Sequence, residues 1–566
     1  MRSNLSVQKS EAVAGGSMVT AMHGSAAEAG IAVLRAGGNA VDAAVTMAFV
    51  LGVVEPCMSG IGGGGCMVLD LPNDGTQVVI DHNMQAPLAA TADMFDVVAG
   101  APPRGLYGWP AVRGDENTTG YRAVAIPGTV AGLCLALERY GTIDLDQALR
   151  PAISLAEDGF GVDWFLASIL ASDARELRRF PETARVFLKD GLPLCAAHVE
   201  EADRLIQRDL ARTLRLLARH GPQVFYQGEI AQRVAAAMST HNGLLTADDL
   251  AQYTPLVSTQ RQLPSYRGYP VLGVIEGSGS TTTLQMLTML EQFPVHELGH
   301  NSAVSLRVLA DVFRQAFADR FAYLGDPRMI EVPTERLWSR DYAAQRAASI
   351  RDDLAQQVVL SPPTQGDGGP PLGALRDDPA HTTHLCVVDR TRNAVALTQT
   401  LLSTFGAKIV VPETGIVLNN GMMWFDPRPG QANSVAGGKR CLSAMSPLIL
   451  RCDDAPYLLV GASGGRRIMT AVTQVISNVI DFGMGIQEAV SAPRLHCEGR
   501  QLVLDHRIDE RSAAALARGG YAVTRLEESY TTFHFALASA IGIDTGAGTL
   551  RGGVDPLKPG VALGSA

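Results

Sequence analysis

Two apolar runs separated by three polar residues constrain the fold of this chain more than any other feature. Residues 383–389 and 394–401 are rich in Leu, Val, Ala and Thr, and "RTR" stands at 390–392. Such runs predict two β-strands that pair as an antiparallel hairpin. With residues 389 and 393 facing each other, the register brings Thr382 opposite Thr400. A loop one residue shorter or longer would change the partners, so the pairing depends on the loop length.

Helical patterns dominate the first half of the chain, and short strands dominate the second half. The Ala-rich residues 24–54 predict a buried helix pair that is split at "AGGN". A long amphipathic helix is predicted to close with "AFADRFAYLGDP" (316–327), where Gly-Asp-Pro is a stop signal, and we expect Asp319 and Arg320 to form a helix-terminal ion pair and not a substrate clamp. Turn signals delimit further strands at 409–411, 416–418, 447–451 and 457–460, and a helix at 468–480.

The segment 361–379, "SPPTQGDGGPPLGALRDDP", is dense in Pro and Gly. This composition predicts a surface loop and the best boundary in the chain. It ends just before Thr382, so a break at this point would release a flexible end.

Charge and composition exclude several classes of function. Acidic residues outnumber basic ones by 57 to 47, and no Lys/Arg block stands out, which argues against a nucleic acid partner. The glycine-rich "MSGIGGGG" leads into a strand and lacks the G-K-[ST] of a phosphate loop. The N-terminus has no continuous apolar region, and we expect a cytoplasmic protein without a membrane span. Eight dispersed cysteines without a C-x-x-C pair indicate reduced thiols. We expect no cofactor.

The two threonines between two histidines in "DPAHTTHLCVVD" permit three interpretations. His381 and His384 are three residues apart, so a strand directs them to opposite faces, which disfavours a metal site. Threonines that face each other across a hairpin also stabilise ordinary sheets. The third interpretation is chemical, because a threonine hydroxyl becomes a nucleophile when a base takes its proton.

Cleavage of the chain before Thr382 would create that base. The new α-amino group has a pKa of about 8 and lies on the same residue as the hydroxyl. A nucleophile of this kind also needs paired N–H donors for the developing oxyanion, each worth about 3 kcal/mol of barrier. Gly464 and Gly465 in "GASGGRR" follow a predicted strand and precede a helix, although adjacent glycines are also common in turns.

These residues and further motifs resemble the γ-glutamyltransferase family of N-terminal-nucleophile hydrolases nearly end to end. The segments that carry the resemblance are "LRAGGNAVDAA" (34–44), "SGIGGGG" (59–65), "IPGTVAG" (126–132), "AFADRFAYLGDP" (316–327), "TTHLCVVD" (382–389), "STFGAKI" (403–409), "GIVLNN" (415–420) and "GASGGRRI" (461–468).

The resemblance implies an α/β fold with four αββα layers, made as one precursor. It implies cleavage between His381 and Thr382 into a large chain, 1–381, and a small chain, 382–566, which remain in one folded unit. Carried over by position, Thr382 is the nucleophile and free amine, Thr400 hydrogen-bonds its hydroxyl, and the N–H groups of Gly464 and Gly465 form the oxyanion hole.

The chain departs from the family pattern where substrate is expected to bind. An arginine in D-F-R-E-M-A-P holds the substrate carboxylate in the family, whereas "DHNMQAP" (81–87) has Asn83 at that place. Asn cannot replace a bidentate charged contact. Leu402, Gly421 and Trp424 stand where Asn, Gln and Asp are expected, and the paired serines become Ser443 and Ala444. We predict that Asn83, Leu402, Gly421, Trp424 and Ser443 contribute to the substrate pocket.

The leading prediction is a self-processed threonine amidohydrolase that transfers the acyl group of a small-molecule amide to Thr382 and then to water. The acyl group is expected to differ from plain γ-glutamyl, as in oxamate amidohydrolase or the cephalosporin acylases of the family. One alternative is a glutathione hydrolase or γ-glutamyltransferase in which Arg466 or Arg467 replaces the lost clamp. A second alternative is an inactive binding protein that keeps the fold.

Overall fold

The computed structural model describes residues 7–101, 109–197, 201–260, 264–355, 381–529 and 532–566. The predicted loop and boundary at 361–379 lies outside the described residues. In the part of the chain that the structure describes, no helix is long and apolar enough to cross a membrane.

Two large antiparallel sheets of seven strands each form the centre of the described fold. The first, called the hairpin sheet, has in order the strands Val561–Ser565, Ser17–Ala21, His381–Val388, Ala394–Leu402, Gly64–Leu71, Thr76–His82 and Leu256–Thr259. The second, called the facing sheet, has the strands Ala12–Ala14, Leu550–Val554, Leu537–Ile543, Ala455–Ser463, Leu448–Cys452, Tyr269–Gly273 and Ser265–Tyr266. A smaller sheet contains Leu495–Cys497, Gln501–Asp505 and Ala522–Leu526.

Helices cover the outer face of each large sheet. Those that share a core with the hairpin sheet are Gly24–Arg35, Ala40–Val54, Thr129–Tyr140, Leu145–Asp158, Trp164–Leu177, Pro181–Phe187, Arg208–His220, Gln223–Tyr226, Glu229–Thr240 and Ala247–Gln252. Those that share a core with the facing sheet are Gly279–Leu290, Val295–Leu298, Ala303–Tyr323, Arg340–Ala355, Arg467–Ile480, Ile486–Ser491 and Glu510–Arg518.

Alternation along the strands produces the layers. In strand Ala394–Leu402, Val395 and Leu397 belong to the core beneath the helices, whereas Ala394 and Ala396 belong to the core between the sheets. Successive side chains of a strand point to opposite faces, so a strand with apolar residues on both sides must be covered twice. The predicted four-layer αββα sandwich is therefore confirmed.

The predicted helix pair is also confirmed, and its break has a local cause. The side chain of Asn39 accepts hydrogen bonds from the N–H groups of Val41 and Asp42 at 2.9 and 3.0 Å. The carboxylate of Asp42 accepts the N–H of Asn39 at 2.7 Å, which completes a capping box. The second helix therefore starts at Ala40 with its first donors satisfied.

The runs 409–411 and 416–418 do not form strands, contrary to the sequence prediction. They make one antiparallel bridge between Val410 and Val417. Between them the chain turns through left-handed conformations at Glu413 and Gly415, with φ of 61° and 69°. The turn leaves too few residues on each side for a ladder. The other predicted strands of the second half are present, extended or shifted by at most three residues.

Candidate active site

The hairpin has the predicted register. Thr383 pairs with Gln399 and His384 with Thr398, and this pattern continues to the loop, where the N–H of Asp389 donates to the carbonyl of Asn393 at 3.0 Å. A β-bulge interrupts the ladder between His381 and Thr383. Bulges bend a strand and redirect a side chain, and here the redirected residue is Thr382.

Thr382 and Thr400 meet as predicted, and both are buried. The hydroxyl of Thr382 donates to Oγ1 of Thr400 at 3.1 Å. The hydroxyl of Thr400 in turn donates to the carbonyl oxygen of His381 at 2.7 Å. The N–H of Leu402 donates to Oγ1 of Thr400 at 2.8 Å. The Thr400 hydroxyl therefore links the Thr382 hydroxyl to the peptide carbonyl that immediately precedes it.

The facing sheet approaches the hairpin closely beside these threonines. A Cβ added to Gly461 would lie 2.2 Å from Cε1 of His384, so only glycine allows this distance between the sheets. The Nδ1 atom of His384 lies 2.8 Å from Oγ1 of Thr398, and burial lowers the pKa of His384 to about 3. His384 is thus a neutral packing residue. Among the residues that the structure describes, no cluster of His, Cys, Asp and Glu could hold a metal ion.

Gly464 and Gly465 lie between strand Ala455–Ser463 and helix Arg467–Ile480. Their φ angles of 144° and 57° are ones that residues with side chains rarely adopt. A Cβ on Gly464 would lie 2.7 Å from Cα of Ala536. Gly464 and His381 line one small cavity. The structure therefore brings Gly464, one of the two predicted oxyanion glycines, close to the residue before Thr382.

Asn83 is bonded to the main chain. Its Nδ2 atom donates to the carbonyl of Cys441 at 2.6 Å, and its Oδ1 atom accepts the N–H of Met84 at 2.9 Å. The thiol of Cys441 donates to the carbonyl of Gly421 at 3.3 Å, so Cys441 bridges the positions of Asn83 and Gly421. Asn83, which stands where the family has its carboxylate-binding arginine, thus contributes to local structure.

Leu402 and Trp424 are buried in the apolar core between the sheets. Ser443 is also buried, and its main chain is fixed by Gly277 and by Arg320, which donates to the Ser443 carbonyl at 2.8 Å. The structure therefore brings Asn83 and Gly421 together around Cys441, places Leu402 beside Thr400, and places Trp424 in the core between the sheets.

The expected ion pair between Asp319 and Arg320 is wrong. Asp319 pairs with Arg346 and accepts hydrogen bonds from Gln285 and Tyr342. Adjacent residues of a helix point about 100° apart, so their side chains do not face each other. Nothing in the sequence indicated that Arg320 would donate to the carbonyl of Ser443.

A buried pair beside the hairpin was missed from the sequence. The hydroxyl of Thr383 donates to Oε2 of Glu55 at 2.8 Å, and Nζ of Lys558 lies 3.5 Å from Oε1 of the same carboxylate. Burial, followed by the charge of Lys558, lowers the pKa of His381 well below its ordinary value. Glu55 precedes Pro56 at a helix end and Lys558 lies in the tail, so nothing in their local patterns connects them to Thr383.

Comparison with known proteins gives a consistent result. A family model described as gamma-glutamyltranspeptidase matches residues 26–565. An acylase ACY 1 proenzyme of Pseudomonas sp. (strain V22) is 38% identical over 519 residues, which cover 92% of this chain and 89% of that protein. A glutathione hydrolase proenzyme of Escherichia coli (strain K12) is 38% identical over 491 residues, 85% of this chain and 80% of the other.

A solved structure extends the similarity to the fold. The crystal structure of cephalosporin acylase from Bacillus halodurans superposes with a TM-score of 0.85 at 26% sequence identity, and the match covers 100% of this chain and 98% of that chain. The similarity therefore extends over the whole fold.

Proposed function

The chain belongs to the gamma-glutamyltranspeptidase family, whose members related to it are acylases and glutathione hydrolases, and on that premise we propose that it is a self-processed threonine amidohydrolase. Amide hydrolysis or acyl transfer is the chemistry of the relatives. The proposal assigns this chemistry to Thr382, released as an N-terminal residue from a precursor. The observation that carries it is the hydrogen-bond chain from the Thr382 hydroxyl through Thr400 to the His381 carbonyl.

The first step of the proposal is self-cleavage. The Thr382 hydroxyl oxygen attacks the His381 carbonyl carbon while its proton passes to Oγ1 of Thr400. Thr400 gives its own proton to the carbonyl oxygen, where negative charge develops. As the C=O bond re-forms, the proton on the former carbonyl oxygen passes back through Thr400 to the nitrogen of Thr382. The C–N bond between residues 381 and 382 breaks, and an ester then joins His381 to the Thr382 oxygen. Water hydrolyses this ester and leaves a carboxylate on His381 and a free amine on Thr382.

The second step uses the new amine as general base. It takes the proton of the Thr382 hydroxyl as the oxygen attacks a substrate amide, and the N–H groups of Gly464 and Gly465 stabilise the oxyanion. The proton goes to the leaving amine, and the acyl group remains on Thr382. Water then enters with the same base and releases the acid. The two products of the precursor, 1–381 and 382–566, act together as one enzyme.

The acyl group in this proposal is not plain γ-glutamyl. The side-chain amide of Asn83 is hydrogen-bonded to the main chain of Cys441 and Met84. Leu402 and Trp424 are apolar residues of the core between the sheets. A free amino acid's ammonium and carboxylate would lose their solvation there without gaining partners, which costs several kcal/mol. An amide of the kind that acylases cleave fits better, as with the relative named cephalosporin acylase.

A glutathione hydrolase or γ-glutamyltransferase is the second candidate. The similarity to the Escherichia coli glutathione hydrolase proenzyme, 38% identity, equals that to the Pseudomonas acylase and favours neither. The replaced residues of the pocket favour the acylase side. Robust release of nitroaniline from γ-glutamyl-p-nitroanilide would reverse this order.

A denaturing gel and mass spectrometry test the proposal. The purified wild type should give two fragments of the 59.9 kDa chain, and the smaller should begin Thr-Thr-His. Thr382→Ala should remain one band and hydrolyse none of a panel of amides, and Thr382→Ser, which keeps a hydroxyl, should still be cut. A wild type that hydrolyses amides as an intact chain would contradict the proposal. A single band without activity in both proteins would favour the inactive binding protein.

A further inference from the structure

A cavity of about 610 Å³ lies among the helices that cover the hairpin sheet. Helix Thr129–Tyr140, helix Gln223–Tyr226, the start of helix Leu145–Asp158 and the segment 251–254 form its walls. Neither the two threonines of the candidate active site nor its glycine pair is among the described lining residues. Binding sites for small molecules have volumes of about 300–1,000 Å³, so this cavity has the size of such a site.

Two buried tyrosines, Tyr226 and Tyr253, stack against each other in the wall of this cavity, which we call the tyrosine cavity. Their ring centroids lie 5.8 Å apart, with an angle of 10° between the ring planes. The Tyr226 hydroxyl donates to the carbonyl of Pro127 at 3.1 Å, and the Tyr253 hydroxyl donates to the carbonyl of Asn83 at 2.8 Å. Because both hydroxyls are bonded to the main chain, the rings add apolar surface to the wall. The aliphatic lining residues are Ala131, Leu135, Leu137, Ile143 and Leu145.

The charged residues among the described lining residues are both acidic, Glu138 and Asp144. Asp144 accepts the N–H of Gln147 at 2.7 Å and caps the helix that follows. The carboxylate of Glu138 has no hydrogen bond or ion pair with any residue that the structure describes. A ligand with a negative charge would therefore be repelled in the tyrosine cavity, whereas a ligand with a positive charge would gain a partner.

Cys134 lies in the interior of the cavity, close to this negative charge. Its side chain lines the cavity and is 7% exposed, and the thiol has no hydrogen bond with any residue that the structure describes. Burial, followed by the charge of Glu138, raises the pKa of the Cys134 thiol to about 12. The carboxylate thus acts on the interior of the cavity as well as on its rim, and the thiol is neutral.

We propose that the tyrosine cavity is a second binding site, which takes an organic ammonium ion with an apolar body. The ammonium group pairs with the carboxylate of Glu138, and the apolar body packs against the tyrosine rings and Leu135. The charge selects the cation, because no Lys, Arg or His is among the described lining residues to hold an anion. The apolar wall selects the body, because water is released from both surfaces when they meet. The site does not depend on acyl transfer at Thr382.

Isothermal titration with three probes tests the inference. The probes 4-phenylbutylamine, 4-phenylbutanol and 4-phenylbutyrate share one apolar body and end in a cation, a neutral group and an anion. The amine should bind the wild type with a Kd about fivefold lower than the alcohol, and the butyrate should bind more weakly than the alcohol. Glu138→Gln should raise the Kd of the amine by about 3- to 10-fold and change that of the alcohol less than twofold. Glu28→Gln, which removes an exposed glutamate of helix Gly24–Arg35, should change neither.

Two further variants locate the bound amine. Ala131→Trp places a ring in the cavity and should abolish binding of the amine and the alcohol, with circular dichroism as the check that the variant folds. Thr382→Ala should bind the amine as the wild type does, because Thr382 is not among the described lining residues.

Four results would overturn the inference. They are no binding of the amine to the wild type at millimolar concentration, equal Kd values for amine and alcohol, an unchanged Kd in Glu138→Gln, and undiminished binding in a folded Ala131→Trp. If Ala131→Trp does not fold, the comparison of Glu138→Gln with Glu28→Gln decides. Loss of binding in Thr382→Ala would place the amine at the candidate active site and would also refute a second site. None of these results bears on self-cleavage, which the gel assay measures separately.

Discussion

Leu402 shows how the conformation of one residue sets the geometry of the site. Its φ of 88° is rare for a residue with a branched side chain, and such a conformation costs about 1–3 kcal/mol. The conformation aims the N–H of Leu402 at Oγ1 of Thr400, and burial of the side chain between the sheets helps to offset the cost. Thr400 is therefore left with its own proton directed at the His381 carbonyl.

Replacement of Thr400 tests this arrangement. Thr400→Val keeps the shape but removes the donor to the carbonyl, so we expect self-cleavage to slow by about 100-fold or more, the usual effect of losing one oxyanion donor. The matched control is Thr398→Val on the same strand, whose hydroxyl contacts His384, and it should slow cleavage less than fivefold. The measurement is the time course of the two bands after expression. Equal rates in the two variants would mean that Thr400 only packs.

At the scale of elements, the site depends on how strand Ala455–Ser463 crosses the hairpin. Gly461 contacts the ring of His384, and the glycine pair follows at the end of the same strand. The strand thus sets the distance between the proposed nucleophile, Thr382, and the proposed oxyanion donors. A change in this spacing affects the chemistry without touching a reacting group.

Gly461→Ala should disturb this crossing. The added Cβ would overlap the His384 ring, and we expect a loss of about 1–3 kcal/mol in the free energy of unfolding together with slower self-cleavage. Gly24→Ala is the control, because a Cβ at Gly24 meets no atom of the described residues within 4 Å. Chemical denaturation and the gel assay give the two readouts. Normal cleavage in a destabilised Gly461→Ala would show that the spacing serves stability alone.

The elements also show which features the sequence could predict. The hairpin register was predictable because a short loop fixes the partners, and the layers were predictable because apolar alternation records which faces are covered. The prediction of strands at 409–411 and 416–418 was wrong because Glu413 and Gly415 have left-handed conformations that turn the chain between the two runs. The bond from Thr383 to Glu55 and the cavity lined by His381 and Gly464 join distant segments, and such contacts leave no local pattern.

At the scale of the whole molecule, buried neutral histidines make stability depend on pH. Burial lowers the pKa of His82 and of His384 to about 3, against an ordinary value near 6.5 in the unfolded chain. Below pH 6.5 the unfolded state binds protons that the folded state refuses, so stability falls as pH falls from 6.5 toward 3. Glu498, with its pKa of about 2, adds a loss of the same sign below its unfolded value of 4.5.

The histidine contribution can be measured directly. Between pH 7 and pH 4.5, each buried histidine should cost about 3 kcal/mol of stability. His384→Asn should therefore flatten the fall in Tm over this range, whatever its effect at pH 7. The control His296→Asn removes an exposed histidine and should leave the slope unchanged. Parallel curves for all three proteins would refute the assignment.

The order of strands in the hairpin sheet has a consequence for a molecule cut as proposed before Thr382. Strand Ser17–Ala21 is hydrogen-bonded on one side to Val561–Ser565 and on the other to His381–Val388, so the fragment ending at 381 threads between two segments of the fragment that starts at 382. The two fragments would therefore be interlocked, because their separation would break the hydrogen bonds on both sides of strand Ser17–Ala21. After denaturation, the two fragments would have to meet by diffusion before they could refold. Refolding would then be a second-order reaction whose rate falls on dilution, whereas folding of the intact chain is first-order. The proposed scission before Thr382 would thereby make the native state reachable only by folding of the uncut precursor.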